Sequence, residues 1–177
     1  MLTQRAGLLR QALLYAAISA SAACLAAEPR EINPALPPVE VFVPAPCLAC
    51  IDWAEHLRKS GFRVSITESA DMAAVKKRFK VPADLESRHT SVVAGYFIEG
   101  HVPAEDIIEL LKEKPQARGL AVPGLPRGAP GLEISNPTCE TACTMLDNDS
   151  GVRDVRREMF KTYLVLPNGQ TKNWARH

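Results

Sequence analysis

The chain has 177 residues, 46% hydrophobic, 6% aromatic and 23% charged, with a formal net charge of +1. That is enough for one domain with its own core plus extensions. Its 21 Lys+Arg against 20 Asp+Glu, with no basic block, argue against a nucleic-acid partner, and the composition excludes collagen, coiled coil and wholesale disorder.

Residues 1–27 read as a signal peptide. Arg5 and Arg10 are the only charges before Glu28, and a small-residue apolar run ends at Ala26-Ala27. The run is shorter than the ~20 residues a spanning helix needs, so no stable membrane span is expected. Lipid attachment at Cys24, after Ser21-Ala22-Ala23, is the lesser alternative to cleavage near Ala26. Export implies a periplasmic, oxidising compartment in which cysteine pairs persist as disulfides. Residues 28–38 form an extended, proline-rich linker, and 39–177 the domain, with a C-terminal extension from about 119.

Val39 to Val43 alternates as a strand and is broken by Pro44-Ala45-Pro46. A helix follows, with Cys50, Trp53, Ala54 and Leu57 on one face and Ser60-Gly61 at its end. Residues 62–67 read as a second strand. Met72, Val75 and Phe79 mark a short amphipathic helix that closes before Pro82. Residues 91–93 and 96–98 flank Ala94-Gly95 as a hairpin. Pro103 opens a last helix with Ala104, Ile107, Ile108 and Leu111 as its buried stripe. The Gly- and Pro-rich residues 119–131 are expected to run over the surface. A second hairpin, 162–166 with 170–175, turns at Pro167-Asn168-Gly169. Residues 138–160 read as partly helical.

The expected fold is therefore α/β, a thioredoxin-like β-α-β-α-β-β-α domain with a Gly/Pro-rich linker and a C-terminal β-hairpin. Its sharpest motif is Cys47-Leu48-Ala49-Cys50, directly after a strand and at the head of a helix. There the helix dipole and free N–H groups favour a thiolate, which serves disulfide exchange and soft-metal ligation alike. The competing reading is an inert structural disulfide. This chemistry needs both sulfurs held together and reachable at the mouth of the domain.

Arg88-His89-Thr90 precedes the third strand, in the loop that faces the Cys-x-x-Cys in a thioredoxin-like fold. Oxidoreductases carry a cis-proline there and this chain has none. His89 is a candidate ligand or proton partner, and Arg88 a cation able to lower a thiolate pKa; both also fit an ordinary loop. Cys139 and Cys143 form a second pair. Four mature cysteines permit three disulfide connectivities, or one four-thiolate metal site if the tail folds back over residues 47–50. His56 reads as a capping or surface residue. His101, before Pro103, is a weaker ligand candidate.

The run Cys47-x-x-Cys50-x-x-Trp53-x-x-His56-Leu57, then Gly61-Phe62, resembles the CopG-like family of exported, copper-resistance-associated proteins. The likeness continues through Val81-Pro82, His89-Thr90, Gly95-Tyr96, Gly100-His101-Val102-Pro103 and Gly119-Leu120-Ala121-Val122-Pro123-Gly124. It spans about residues 39–177 and is poorest near 134–159. The resemblance implies a thioredoxin-like domain that holds copper through clustered cysteines and the facing loop, with Cys47, Cys50 and His89 carried over. Four positions depart from the family. Ala49 and Arg88 stand where it has cysteine, and Leu125 and Leu132 where it tends to have methionine. Cys139 and Cys143 either replace the lost ligands or lock the tail.

Three functions follow, in order. The first is a periplasmic soft-metal handling protein taking Cu(I) on Cys47 and Cys50, helped by His89 or the tail cysteines, and not an enzyme. The second is a thiol–disulfide redox protein acting on other exported thiol proteins, with Cys47 attacking and Cys50 resolving. The third is a disulfide-stabilised scaffold.

Overall fold

The computed structural model describes residues 35–133 and 158–177. The signal peptide, Cys24, Cys139, Cys143 and most of the segment 138–160 lie outside them. Among the described residues the order is β1 (Val39–Val43), α1 (Leu48–Lys59), β2 (Val64–Glu68), α2 (Met72–Phe79), a 3-10 turn (Ala83–Leu85), β3 (Thr90–Val93), β4 (Tyr96–Glu99), α3 (Ala104–Glu113), β5 (Gly119–Ala121), β6 (Lys161–Val165) and β7 (Thr171–Arg176). The β-α-β-α-β-β-α core and the C-terminal hairpin are those read from the sequence. The fold class is α/β.

The strands form one sheet in the order β2-β1-β3-β4-β5-β6-β7. β1 pairs parallel with β2 and β4 with β5, while β3 and β6 run against both neighbours. β1 is flanked on both edges, and Val39, Val41, Phe42 and Val43 are buried. α1 buries Ala49, Cys50, Trp53, Ala54 and Leu57, the face the sequence marks. It stops where the Gly61 and Phe62 amides reach back to the Arg58 and Leu57 carbonyls, with Gly61 at φ +93°. Ala94 (φ +47°) and Gly95 (φ +88°) make the tight turn between β3 and β4.

Three expectations change. In α2, Met72, Val75 and Phe79 are only partly covered, and the buried side chain is Lys76. Its ammonium donates to Glu99 and to Thr90 Oγ1, an ion-pair network that draws a cation inward. In α3 the buried stripe is Ala104, Ile107 and Leu110, joined by Asp106, while Ile108 is exposed. Asp106 is drawn in because it accepts from Thr162 Oγ1 at 2.5 Å and faces His177 Nε2 at 2.9 Å. Residues 123–131 lie largely at the surface as expected, but 119–122 do not. Gly119–Ala121 is an interior strand between β4 and β5's other neighbour β6, and Val122, Ala129 and Leu132 are also buried. Gly119 is required there, because a Cβ would lie 1.9 Å from the Phe97 carbonyl oxygen.

β6 and β7 extend the sheet as the expected hairpin, turning at Asn168 and Gly169 (φ +86°). The Phe160 ring stacks on His177, 4.7 Å between centroids. Among the described residues no helix is long and apolar enough to cross a membrane.

Candidate functional site

The Cys-x-x-Cys lies where β1 hands over to α1. Pro44-Ala45-Pro46 cannot continue the strand, and the Ala45–Pro46 peptide is cis. Cys47 is the N-cap of α1, its carbonyl accepting from the Ile51 amide at 3.2 Å. Cys50 follows in the first turn, and the two are joined as a disulfide, with Cα atoms 5.3 Å apart. Of the three possible connectivities, this is the one that closes the motif on itself.

The sulfurs are held together but not reachable in this oxidised form. Cys47 is 4% exposed and Cys50 fully buried. The cause is helix phase: positions 47, 49, 50 and 53 turn inward, while Leu48, Ile51 and Asp52 turn to solvent. A disulfide sulfur does not titrate, so this form holds no thiolate for Arg88 to stabilise. The Arg88 Nε is itself buried, with no hydrogen-bond partner among the described residues.

His89 is fully buried immediately before β3. Its ring packs on Trp53, one turn along α1 from Cys50, at 4.4 Å between centroids. Trp53 is fixed in turn by its Nε1–H, which donates to the Val102 carbonyl at 2.8 Å. Among the described residues, neither ring nitrogen of His89 has a hydrogen-bond partner. Burial first, then the neighbouring His101 and the Lys76 ammonium, push its pKa well below the ordinary histidine value. His101 stands edge-on to His89 at 4.9 Å, with Nδ1 2.8 Å from the Pro130 carbonyl. Burial lowers its pKa to about 4. Among the described residues, no group of three or more His, Cys, Asp or Glu side chains converges as a metal cage.

Three of the four positions where the resemblance implies extra soft ligands, Ala49, Leu125 and Leu132, are apolar and packed. Ala49 forms a buried cluster with Ala129 and Leu132, and Leu125 and Phe160 cover it. Gly131 brings this segment against α1: a Cβ there would meet the Trp53 amide nitrogen at 2.7 Å and the Ala49 carbonyl at 2.8 Å. His56 fills the capping role, its Nε2 accepting from the Ala104 amide at the start of α3.

Two clusters built around buried side chains give no signal in the sequence. In one, the Glu99 carboxylate accepts from Lys76, from Thr90 Oγ1 at 2.6 Å and from the Ser87 amide at 2.7 Å. In the other, Thr162, Asp106 and His177 meet at the root of the hairpin. Neither gives a local signal, because each joins residues distant in the chain.

Two solved structures of the copper resistance protein CopG, forms 1 and 2, align with this chain at 36% and 35% identity. In each case the TM-score is 0.65, over 80% of this chain and 98% of the other. The chain belongs to the CopG family. A model of a family of proteins of unknown function, DUF411, matches residues 85–132, the stretch that contains both His89 and His101. No curated protein matches the chain.

Proposed function

We propose that the protein is an exported copper-handling protein whose reduced Cys47–Cys50 pair takes Cu(I) as cargo. The observation that carries this reading is the pairing of two soft donors at the N-terminus of α1, in a chain that resembles copper resistance proteins. Cu(I) is satisfied by two or three soft ligands, so two thiolates form a sufficient set. His89, packed on Trp53 and without a hydrogen-bond partner among the described residues, offers the third donor. The strand order β2-β1-β3-β4 with β3 reversed supports the thioredoxin-like reading. The apolar run before residue 28 supports a periplasmic location.

Loading starts from the disulfide. A reductant supplies two electrons and two protons, the S–S bond breaks into two thiols, and both protons leave when Cu(I) binds. Because the disulfide is buried, reduction and loading require α1 or its surroundings to open, so copper uptake follows the redox state of the pair. The test is anaerobic titration of the reduced protein with Cu(I) against a chromophoric competitor. One tightly held ion per chain is expected, lost in Cys47→Ser and absent in the oxidised protein. Uptake unchanged by Cys47→Ser overturns the reading.

A second reading, thiol–disulfide exchange with exported proteins, draws on the same disulfide. Wild-type protein inactive in insulin reduction disposes of it.

A further inference from the structure

α1 is tied to the segment that opens α3 by two hydrogen bonds one helical turn apart. Trp53 Nε1–H donates to the Val102 carbonyl at 2.8 Å, and His56 Nε2 accepts from the Ala104 amide at 3.1 Å. Val102 and Ala104 are fully buried. The Trp53 bond holds at any pH, because an indole N–H does not titrate. The His56 bond does not. An amide N–H only donates, so Nε2 presents its lone pair and the ring hydrogen sits on Nδ1. A second proton turns Nε2 into a donor facing a donor.

Its position enlarges the change. Ala104 is the first residue of α3, and Pro103 before it makes no side-chain cap. His56 therefore supplies, from a different helix, the acceptor that α3 lacks at its own start. An imidazolium there also places a cation at the positive end of the α3 dipole. The charged groups around the ring are Glu105 on α3, Glu133, and Lys59 on α1. Burial acts most strongly and disfavours the imidazolium, as Lys59 does, while the two carboxylates favour it; the balance lowers the pKa from 6.5. The ring is only half-buried, so a proton reaches it while the core stays closed.

The same helix carries the disulfide, with Cys50 in the turn before Trp53 and both sulfurs closed to solvent. We infer that His56 is an acid-released clasp between α1 and α3, and that its release governs how readily a reductant reaches the Cys47–Cys50 disulfide. This gating rests on the copper reading, in which reduction precedes loading. The closed chain refuses a proton that the opened one accepts, so the clasp is at full strength above pH 6.5 and weakens as pH falls below it. With the clasp released, Trp53 alone bonds α1 to the entry of α3, and local openings that expose the sulfurs become more frequent. Loss of one neutral hydrogen bond sets the scale at about fivefold.

The test uses the full oxidised chain and a water-soluble phosphine. The phosphine gives two electrons to the S–S bond; water supplies the oxygen of the phosphine oxide and the two protons that complete the thiols. Trapping with a maleimide counts the Cys47 and Cys50 thiols by mass. Reduction rates are compared between wild type and His56→Gln, whose amide oxygen accepts from Ala104 without titrating. Their ratio cancels the pH dependence of the phosphine and of His89 and His101, which is common to both proteins. The ratio of wild type to variant should rise about fivefold from pH 7.5 to pH 5, and a flat ratio overturns the proposal. Should His56→Gln fail to fold, wild type alone decides. Protection of the Ala104 amide against hydrogen exchange should fall as the His56 imidazole takes up its proton, and protection that survives this titration overturns the clasp. Neither readout involves copper. Absent Cu(I) uptake removes the copper reading and leaves this test standing, whereas a flat ratio removes the clasp and leaves copper uptake untouched.

Discussion

Replacing Lys76 with Met isolates the energetics of the buried ion pair. The Lys76 and Glu99 side chains are 7% and 0% exposed, so removing the ammonium leaves a carboxylate in the interior. Breaking one side of such a pair costs about 3–5 kcal/mol. Thr90 Oγ1 and the Ser87 amide still donate to Glu99, which places the expected loss at the lower end, about 3 kcal/mol. With a urea dependence of about 2 kcal/mol per molar, the unfolding midpoint at pH 7 falls by about 1.5 M. Burial already raises the Glu99 pKa against the opposing pull of Lys76, so losing Lys76 raises it further. The folded variant then binds a proton that its unfolded chain does not, and the deficit shrinks from pH 7 to pH 5. Lys76→Met/Glu99→Gln removes both charges and should recover to within about 1 kcal/mol of wild type. A Lys76→Met loss below about 1 kcal/mol, or a double variant no more stable than the single one, would refute the reasoning.

In the metal-free protein, stability should fall as pH drops from 6.5 towards 4. The His101 pKa is lowered from 6.5 to about 4 by burial, so in that window the unfolded chain binds a proton that the folded one refuses. Stability is full above the unfolded value, and the gap is worth about 3 kcal/mol; His89 acts in the same direction. Urea midpoints for wild type and His101→Gln from pH 4 to 7 check this, and equal slopes in the two proteins refute it. Gly131→Ala places a Cβ against the backbone of α1 at φ +80°, which neither conformational freedom nor a side-chain shift relieves. It should cost about 2–3 kcal/mol in thermal or urea unfolding. Gly124→Ala, at φ +69° in open space, should cost less; equal losses refute the packing argument.

The sequence was most legible where the signal is local. Alternation over Val39–Val43, the Cys50-Trp53-Leu57 face, the Ala94-Gly95 turn and the Asn168-Gly169 turn each express their conformation within a few residues, and each element forms there. β5 did not show itself because a three-residue strand beginning with glycine cannot display alternation. The buried face of α3 was misread by one helical position, because Asp106 is held inside by Thr162 and His177 from the far end of the chain. The Cys-x-x-Cys was clear as a motif, but its burial depends on helix phase. His101 was noted only as a ligand candidate beside Pro103; its ring is fixed by a carbonyl 29 residues away, a contact no local pattern encodes.

The register between β5 and β6 brings Ala121 opposite Tyr163, so the chain returns to the sheet almost where it left. Arg127 reinforces the closure by bonding Glu158 through both its amide and its guanidinium. The last two strands are thus held to the rest of the sheet by contacts complete within the described residues, so the hairpin is a load-sharing part of the sheet rather than an appended tail.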